Sequence, residues 1–294
     1  MINPQLHGKT ALITGANHGI GAATAVALAA QGVNVFITYL SIPIPDNVDT
    51  SDIETPGMAK YHHLRQQNAD AVLARIASLD GAAAAIAADL SEPATIPMIF
   101  DEAEAQFGPV DILVHNAAHW VAGTFIPQGE ATANDAPAQW SVDGIPTFTP
   151  SAHDAMFAIN TRGGAHLITE FARRHIHRGA DYGRIVTIST DAASSFPSEA
   201  IYGASKFALE SYSRSAASEL GQFGITVNIV SPGPTQTGYI PPQFADEMAA
   251  RTPLRRIGQP EDIADVIVFL ASEQARWLTG QLLYAGGGHK MHHG

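Results

Sequence analysis

KTALITGANHGIGAATAVALAAQG, residues 9–32, decides the fold. Residues 9–14 are a short, mostly apolar run with the composition of a buried strand. Residues 19–31 are Ala-rich and helix-forming, and Gly32 ends them. Between the two lies Gly15-Ala16-Asn17-His18-Gly19-Ile20-Gly21, a G-x-x-x-G-x-G turn. Glycine lets the backbone turn tightly, and the start of a helix offers unpaired N–H groups and partial positive charge. Strand, glycine turn and helix in that order predict a pyrophosphate-binding turn of a dinucleotide site.

Outward from this unit, the same alternation repeats. Strand-like runs cover 33–39 (VNVFITY), 83–90 (AAAIAADL), 110–115 (VDILVH), 183–190 (GRIVTIST), 226–231 (TVNIVS) and 281–285. Helical stretches cover 69–78, 97–107, 151–177, 202–223 and 260–272. Strands separated by helices make βαβ units, so the expected fold is α/β. It is a single doubly wound Rossmann-type domain over 1–294, with a parallel sheet of about seven strands and helices on both faces. No linker divides the strands into two self-sufficient sets. Two segments, about 42–65 and 125–150, are too long for ordinary α/β connections of ~2–6 residues and read as functional insertions. Trp140 and Phe148 suggest that the second is an apolar lid.

Composition narrows the function. Hydrophobic residues make up 46% and charged residues 15%, which excludes wholesale disorder. The net charge of −12 repels phosphate backbones and anionic lipid, so neither nucleic acid nor a membrane is an expected partner. No apolar run approaches the ~18 residues of a membrane span. The first residues, MINPQLHGKTALITG, lack a basic start followed by an apolar core, so cytoplasm is the expected location. With no Cys there are no disulfides or thiolate zinc sites.

The end of strand two bears on the nucleotide. An NAD site usually places an acid there to hold the ribose 2′-OH. Here the chain reads Thr38-Tyr39-Leu40-Ser41, with no carboxylate to repel a 2′-phosphate. Tyr39, Ser41 and His18 offer hydrogen bonds, and Lys60 or Arg65 of the first insertion can add positive charge. NADP(H) is therefore expected over NAD(H).

Tyr202-Gly203-Ala204-Ser205-Lys206 carries the chemistry. Residues four apart on a helix share a face. A phenol has a pKa near 10, and bringing it to neutrality takes ~4 kcal/mol of stabilisation of the phenolate. An adjacent ammonium and an oxidised nicotinamide together can supply that, which makes Tyr202 a candidate general acid/base on a carbonyl or alcohol oxygen.

With TGxxxGIG near the start, YxxxK near residue 200 and this element order, the sequence resembles the short-chain dehydrogenase/reductase family from about residue 8 to residue 288, the two insertions excepted. The resemblance implies an oxidoreductase that moves a hydride between nicotinamide and a ketone, aldehyde or secondary alcohol. It implies that Tyr202 exchanges the proton and that Lys206 lowers the Tyr202 pKa and binds the nicotinamide ribose. Asn160 would hold a water in a relay to the Lys. Asp89 and the adjoining Leu90 match the adenine-holding segment. Asn116 and Ala117 match the cofactor-supporting stretch after strand four, where His115 and Ala118 depart from the family's Asn and Gly. Pro232, Gly233, Thr235 and Thr237 match the segment facing the nicotinamide. The family also places a hydroxyl at the end of strand five. Its usual spacing from the Tyr selects Ser189, whereas strand register counted from Gly183 selects Thr190.

Around these, His119, Trp120 and Phe196 are candidates for the substrate pocket, with core packing the alternative for Trp120. Glu199 reads either as a pocket border or as an exposed loop charge. The 13 His suggest no metal site: His175 and His177 do not face each other on a helix, and His289, His292 and His293 fall on an expected mobile tail. The resemblance further implies a homodimer or homotetramer through the two long helices. A nucleotide-sensing protein on the same fold, or an isomerase or lyase with a retained cofactor, are the competing readings.

Overall fold

The computed structural model describes residues 3–127 and 145–290. β1 (Thr10–Thr14) is buried along its whole length. It pairs in parallel with β2 (Asn34–Tyr39) on one side and β4 (Ile112–His115) on the other. β3 (Ala83–Ala87), β5 (Gly183–Ile188), β6 (Ile225–Pro232) and β7 (Leu282–Ala285) complete a parallel sheet in the order β3-β2-β1-β4-β5-β6-β7. The order reverses between β1 and β4, so a crevice opens beyond the C-terminal ends of those strands.

Each face of the sheet has its own core. Leu12 and Ile13 are adjacent and fully buried, yet they point into different cores, as the period of 2 requires. Ile13 joins α1 (Gly19–Ala29), α3 (Asp70–Ala77) and α9 (Pro260–Ala271), through Leu28, Ile76 and Ile267. Leu12 joins α4 (Thr95–Phe107) and α6 (Gly164–His177), through Phe100 and Leu167. Truncating either side chain to Ala would cost about 2–5 kcal/mol.

Several elements differ from the sequence pattern. The helix expected over 151–177 is divided into α5 (Pro150–Phe157), a π-helical turn (Ala158–Gly163) and α6. The wider turn carries Asn160 and Thr161 inward, where Thr161 Oγ1 donates to the Ser205 carbonyl at 2.9 Å. The helix expected over 202–223 is α7 (Ala200–Leu220), followed by a 3₁₀ turn. β3 stops at Ala87 and β5 at Ile188, earlier than their apolar runs suggest.

The first insertion contains a helix, α2 (Met58–Gln66). Its sequence, MAKYHHLRQ, has no apolar stripe and no buried residue, so periodicity gives no sign of it. α8 (Pro242–Arg251) likewise has no counterpart in the sequence pattern, because Phe244 alone among its residues is buried. Of the second insertion, Phe125 and Phe148 stack with ring centroids 6.0 Å apart, while Trp140 and residues 128–144 lie outside the described residues. Among the described residues no helix is long and apolar enough to cross a membrane.

Candidate active site

The crevice holds a cavity of about 530 Å³. Its first wall is backbone. Gly15 has φ +63, and a Cβ there would lie 2.7 Å from Ala117 Cα. A Cβ on Gly21 would lie 2.4 Å from the Gly15 carbonyl and 2.5 Å from Asn116 Nδ2. Both distances are impossible, so the close approach of β1, β4 and α1 requires glycine here. Asn116 Nδ2 closes the joint by donating to the Thr14 and Gly15 carbonyls at 3.1 and 2.7 Å.

His115 belongs to the same joint. Thr14 Oγ1 accepts from Asn116 N and Ala117 N, both at 3.1 Å. Its own proton therefore goes to His115 Nδ1, 3.2 Å away. That assigns the imidazole proton to Nε2, which faces the Asn160 carbonyl at 3.4 Å. Full burial first, and Lys206 second, push the His115 pKa down to about 3, so the ring is neutral.

The residues present suit a dinucleotide. The N-terminus of α1 has no side-chain cap, so its first turn faces the cavity with free donor capacity. His18 Nδ1 is buried without a partner, and burial lowers the His18 pKa to about 4. Asn17, Gly19, Ile20, Tyr39, Asp89, Leu90, Asn116, Ala117, Pro232, Gly233, Thr235 and Thr237 all line the same cavity. Gly21 stands behind it as part of the joint. Ser41 does not belong to it. β2 ends at Tyr39, and Ile42 N is tied to the Arg65 carbonyl at 3.0 Å, which turns Leu40 and Ile42 to the cavity and Ser41 to solvent. Arg65 reaches the cavity from α2, its guanidinium 5.1 Å over the Tyr61 ring. Lys60 instead caps the exposed Glu54 carbonyl.

Tyr202 and Lys206 sit one turn apart on α7, both facing the cavity. Lys206 Nζ donates to the Ile188 carbonyl at 2.8 Å and lies 5.8 Å from the Tyr202 ring centroid. Burial lowers Lys206 to about 8. It raises the Tyr202 phenol, with Glu199 and Tyr61 adding to the rise. The depression expected for this phenol rests on the ammonium and an oxidised nicotinamide together. The ammonium is itself desolvated and turned to a carbonyl, so burial wins and the phenol is held protonated.

Ser189 and Thr190 both border the cavity, but their hydroxyls have different partners. Ser189 Oγ donates to the buried Glu210 carboxylate at 2.6 Å. Thr190, half-buried, lies at the cavity one residue further on. Asn160 lies behind the cavity. Its amide donates to the His119 carbonyl and Ser205 Oγ, and its Oδ1 accepts from His119 N at 2.7 Å. The side chain thus clamps the loop after β4.

The other wall is aromatic. Tyr61 of α2, Trp120 and Tyr239 form a cluster with centroids 6.0–6.3 Å apart, and Phe196 stands edge-on to Tyr202. Glu199 is set into this wall. Ser198 before it has φ +66, a strained conformation for a residue with a Cβ. Gly123 pins both sides, donating to the Ser198 carbonyl and accepting from Ala200 N. Trp120 Nε1 donates to Glu199 Oε2. Glu199 is therefore a buried cavity residue rather than an exposed loop charge, and burial pushes its pKa up to about 7.

The chain end also contributes. His289 is not part of a free tail: its Nδ1 lies 2.9 Å from Asp191 Oδ2, and Lys290 Nζ lies 5.5 Å over the Phe196 ring. His292 and His293 lie outside the described residues. Tyr61, Tyr239, Asp191, His289 and Lys290 escaped sequence reasoning. A tyrosine in an otherwise polar insertion was the available hint for Tyr61; nothing in the sequence marks the others. Among the described residues no group of three or more side chains could hold a metal ion.

The chain is similar to known proteins over most of its length. Residues 57–290 match the family model described as enoyl-(acyl carrier protein) reductase. The chain is 34% identical over 300 residues to the short chain dehydrogenase/reductase AacuN of Aspergillus aculeatus, covering 96% of each. It is 33% identical over 301 residues to the hydroxynaphthalene reductase-like protein Arp2 of Metarhizium guizhouense, covering 96% of this chain and 95% of that one. Among solved structures, a short-chain dehydrogenase/reductase from Serratia marcescens superposes with a TM-score of 0.75 at 29% identity, covering 97% of this chain and 99% of that one.

Proposed function

The chain belongs to the short-chain dehydrogenase/reductase family, and on that premise we propose that it is an NADP(H)-dependent reductase of ketones or aldehydes, reversible toward secondary alcohols. The observation that carries this reading is the meeting of Tyr202, Lys206 and Thr190 with the glycine cradle around one cavity. A nicotinamide held there supplies or accepts the hydride. Gly15, Gly19, the first turn of α1, Asn116 and the 232–237 segment would hold it.

The chain's own residues move the proton. Tyr202, kept protonated by burial, gives its phenolic proton to the carbonyl oxygen as that oxygen becomes a hydroxyl. Lys206 stabilises the phenolate left behind and is positioned by the Ile188 carbonyl. The Thr190 hydroxyl orients the reacting oxygen and stabilises its developing charge. Ser189 does not share this role, because its hydrogen is committed to Glu210. Asn160 positions His119 and the loop after β4. Arg65 supports the choice of NADP(H), since it brings a guanidinium to a cavity whose β2 end has no acid.

The test is a fluorescence titration with NADPH and NADH, followed by a carbonyl panel read at 340 nm. NADPH binds more tightly, at least one carbonyl is turned over, and Tyr202→Phe loses about 10²–10⁴-fold in kcat. Tight binding without any turnover would return the chain to a sensing or retained-cofactor role. A dimer or tetramer is part of the proposal: Phe207 and Tyr212 are each 51% exposed on α7, apolar surface that a second copy would cover. Light scattering giving a monomer would remove it.

A further inference from the structure

We propose that Glu199 is a specificity-determining residue, and that with the Tyr61–Trp120–Tyr239 wall it selects a flat aromatic ketone carrying a ring hydroxyl, whose proton the carboxylate accepts. This rests on the reductase reading above. The catalytic set needs Tyr202, Lys206 and Thr190, and Glu199 has no part in it. Yet the fold goes to some length to place a carboxyl here. Ser198 takes a left-handed conformation, and Gly123 fixes the backbone on both sides of Glu199.

A buried carboxyl is unfavourable unless donors satisfy it. The Trp120 indole gives one donor to one of its oxygens. An ionised carboxylate has about four acceptor positions. The side chain lines the cavity three residues before Tyr202, close enough to raise the phenol's pKa. A ligand that brings a donor into this wall therefore repairs a desolvated group, and one without it leaves the group exposed to the penalty.

The rest of the wall sets the shape. Tyr61, Trp120, Tyr239 and Phe196 come from four separate segments and present rings to one cavity. Rings favour a flat apolar body by offset or edge contact. A cation beside the carboxylate would be the other natural guest of such a wall. Its surroundings disfavour one: Arg65, Lys206 and Lys290 already line the cavity. Burial also leaves Glu199 only partly ionised near neutrality. A neutral hydroxyl fits these conditions, and a second cation does not.

The experiment compares 1-tetralone with its monohydroxy derivatives as substrates, and naphthalene with 1- and 2-naphthol as ligands in equilibrium dialysis with NADPH present. Wild type prefers at least one hydroxytetralone by about tenfold or more in kcat/KM, and binds at least one naphthol more tightly than naphthalene by a similar factor. In Glu199→Gln the preference collapses, chiefly through KM: kcat/KM for the hydroxytetralone falls about tenfold further than kcat/KM for 1-tetralone. Trp120→Phe widens the preference, because the carboxylate loses its indole donor and depends more on the ligand's, and stands in should Glu199→Gln misfold. Equal loss on tetralone and hydroxytetralone in Glu199→Gln would overturn the inference, as would a wild type indifferent to the hydroxyl. Preference for an aminotetralone over the hydroxy compound, abolished in Glu199→Gln, would overturn it in favour of a cation. Naphthol binding that depends on Glu199 without turnover of any ketone would keep this inference and sink the reductase reading. Turnover without hydroxyl preference would do the reverse.

Discussion

The two walls of the cavity are made differently. The wall facing the glycine turn is backbone against backbone, with glycines where no Cβ fits and one buried network running Ala117–Thr14–His115–Asn160. The opposite wall is side chain against side chain, drawn from α2, the loop after β4, the loop before α7, the segment before α8 and the chain end. The first leaves little freedom to vary, because each contact is already at its limit. The second is a surface of rings and carboxyls on separate segments, and each can change without disturbing the sheet. Binding of a constant ligand suits the first wall, and choice among ligands suits the second.

The largest effect that would break this contrast is expected at Gly21. Gly21→Ala forces a Cβ to within 2.4 Å of the Gly15 carbonyl and should weaken NADPH binding by about 10²-fold or more, or prevent folding. A fluorescence titration beside a melting curve separates the two, and an unchanged Kd would show that the backbone joint is not critical. Next comes the pair at the end of β5. Thr190→Val should lower kcat by roughly 10–10²-fold, whereas Ser189→Ala should lower stability by about 1–2 kcal/mol, because Glu210 Oε1 loses its donor while Oε2 keeps Arg214, and leave kcat within a few-fold. The opposite pattern would reassign the hydroxyl to Ser189.

Arg65 tests whether the insertion contributes to the cofactor wall as well. Arg65→Ala should weaken NADPH by about tenfold and leave NADH nearly unaltered. Equal effects on both would place Arg65 with the substrate wall, where it stacks on Tyr61.

A last effect concerns acid and stability rather than binding or turnover. His115 is held neutral with a folded-state pKa of about 3 against an ordinary 6.5. As pH falls below 6.5 the unfolded chain takes up this proton and the folded chain does not, so stability is full above 6.5 and declines toward 3. Between pH 6.5 and 4 the loss is on the order of 3 kcal/mol. His18, lowered to about 4 by burial, adds to the same window. His115→Asn should flatten the dependence of Tm on pH in this range, and an unchanged slope would show that the imidazole is solvated.

The contrast also explains what could be read in advance. The signatures of the cradle, β1, α1 and the Tyr202–Lys206 pair are local: strand, turn and helix follow one another within one βα connection, and Tyr and Lys stand one helical turn apart, so spacing and residue type carry them although the contacts that lock the cradle come from residues 115–117. Ser41 was misplaced because a hydrogen bond from Ile42 N to Arg65 O, 23 residues on, sets which side chain faces inward. The break in the helix over 151–177 was invisible because Asn160 and Thr161 are drawn in by Ser205 and His119, which lie far along the chain. His289 looked like a free tail because Asp191, its partner, is 98 residues away.

By itself the sequence determined the α/β alternation and the strand, glycine turn and helix at its start, and it singled out Tyr202 and Lys206, since those follow from periodicity and from chemistry at short spacing. Only the tertiary structure decided that the Ser189 hydroxyl is tied to Glu210, that Glu199 is buried against Trp120, and that an insertion and the chain end meet at one cavity. Those outcomes depend on contacts between segments far apart in the chain, where burial and an available partner, rather than residue type, fix the position and charge of a side chain.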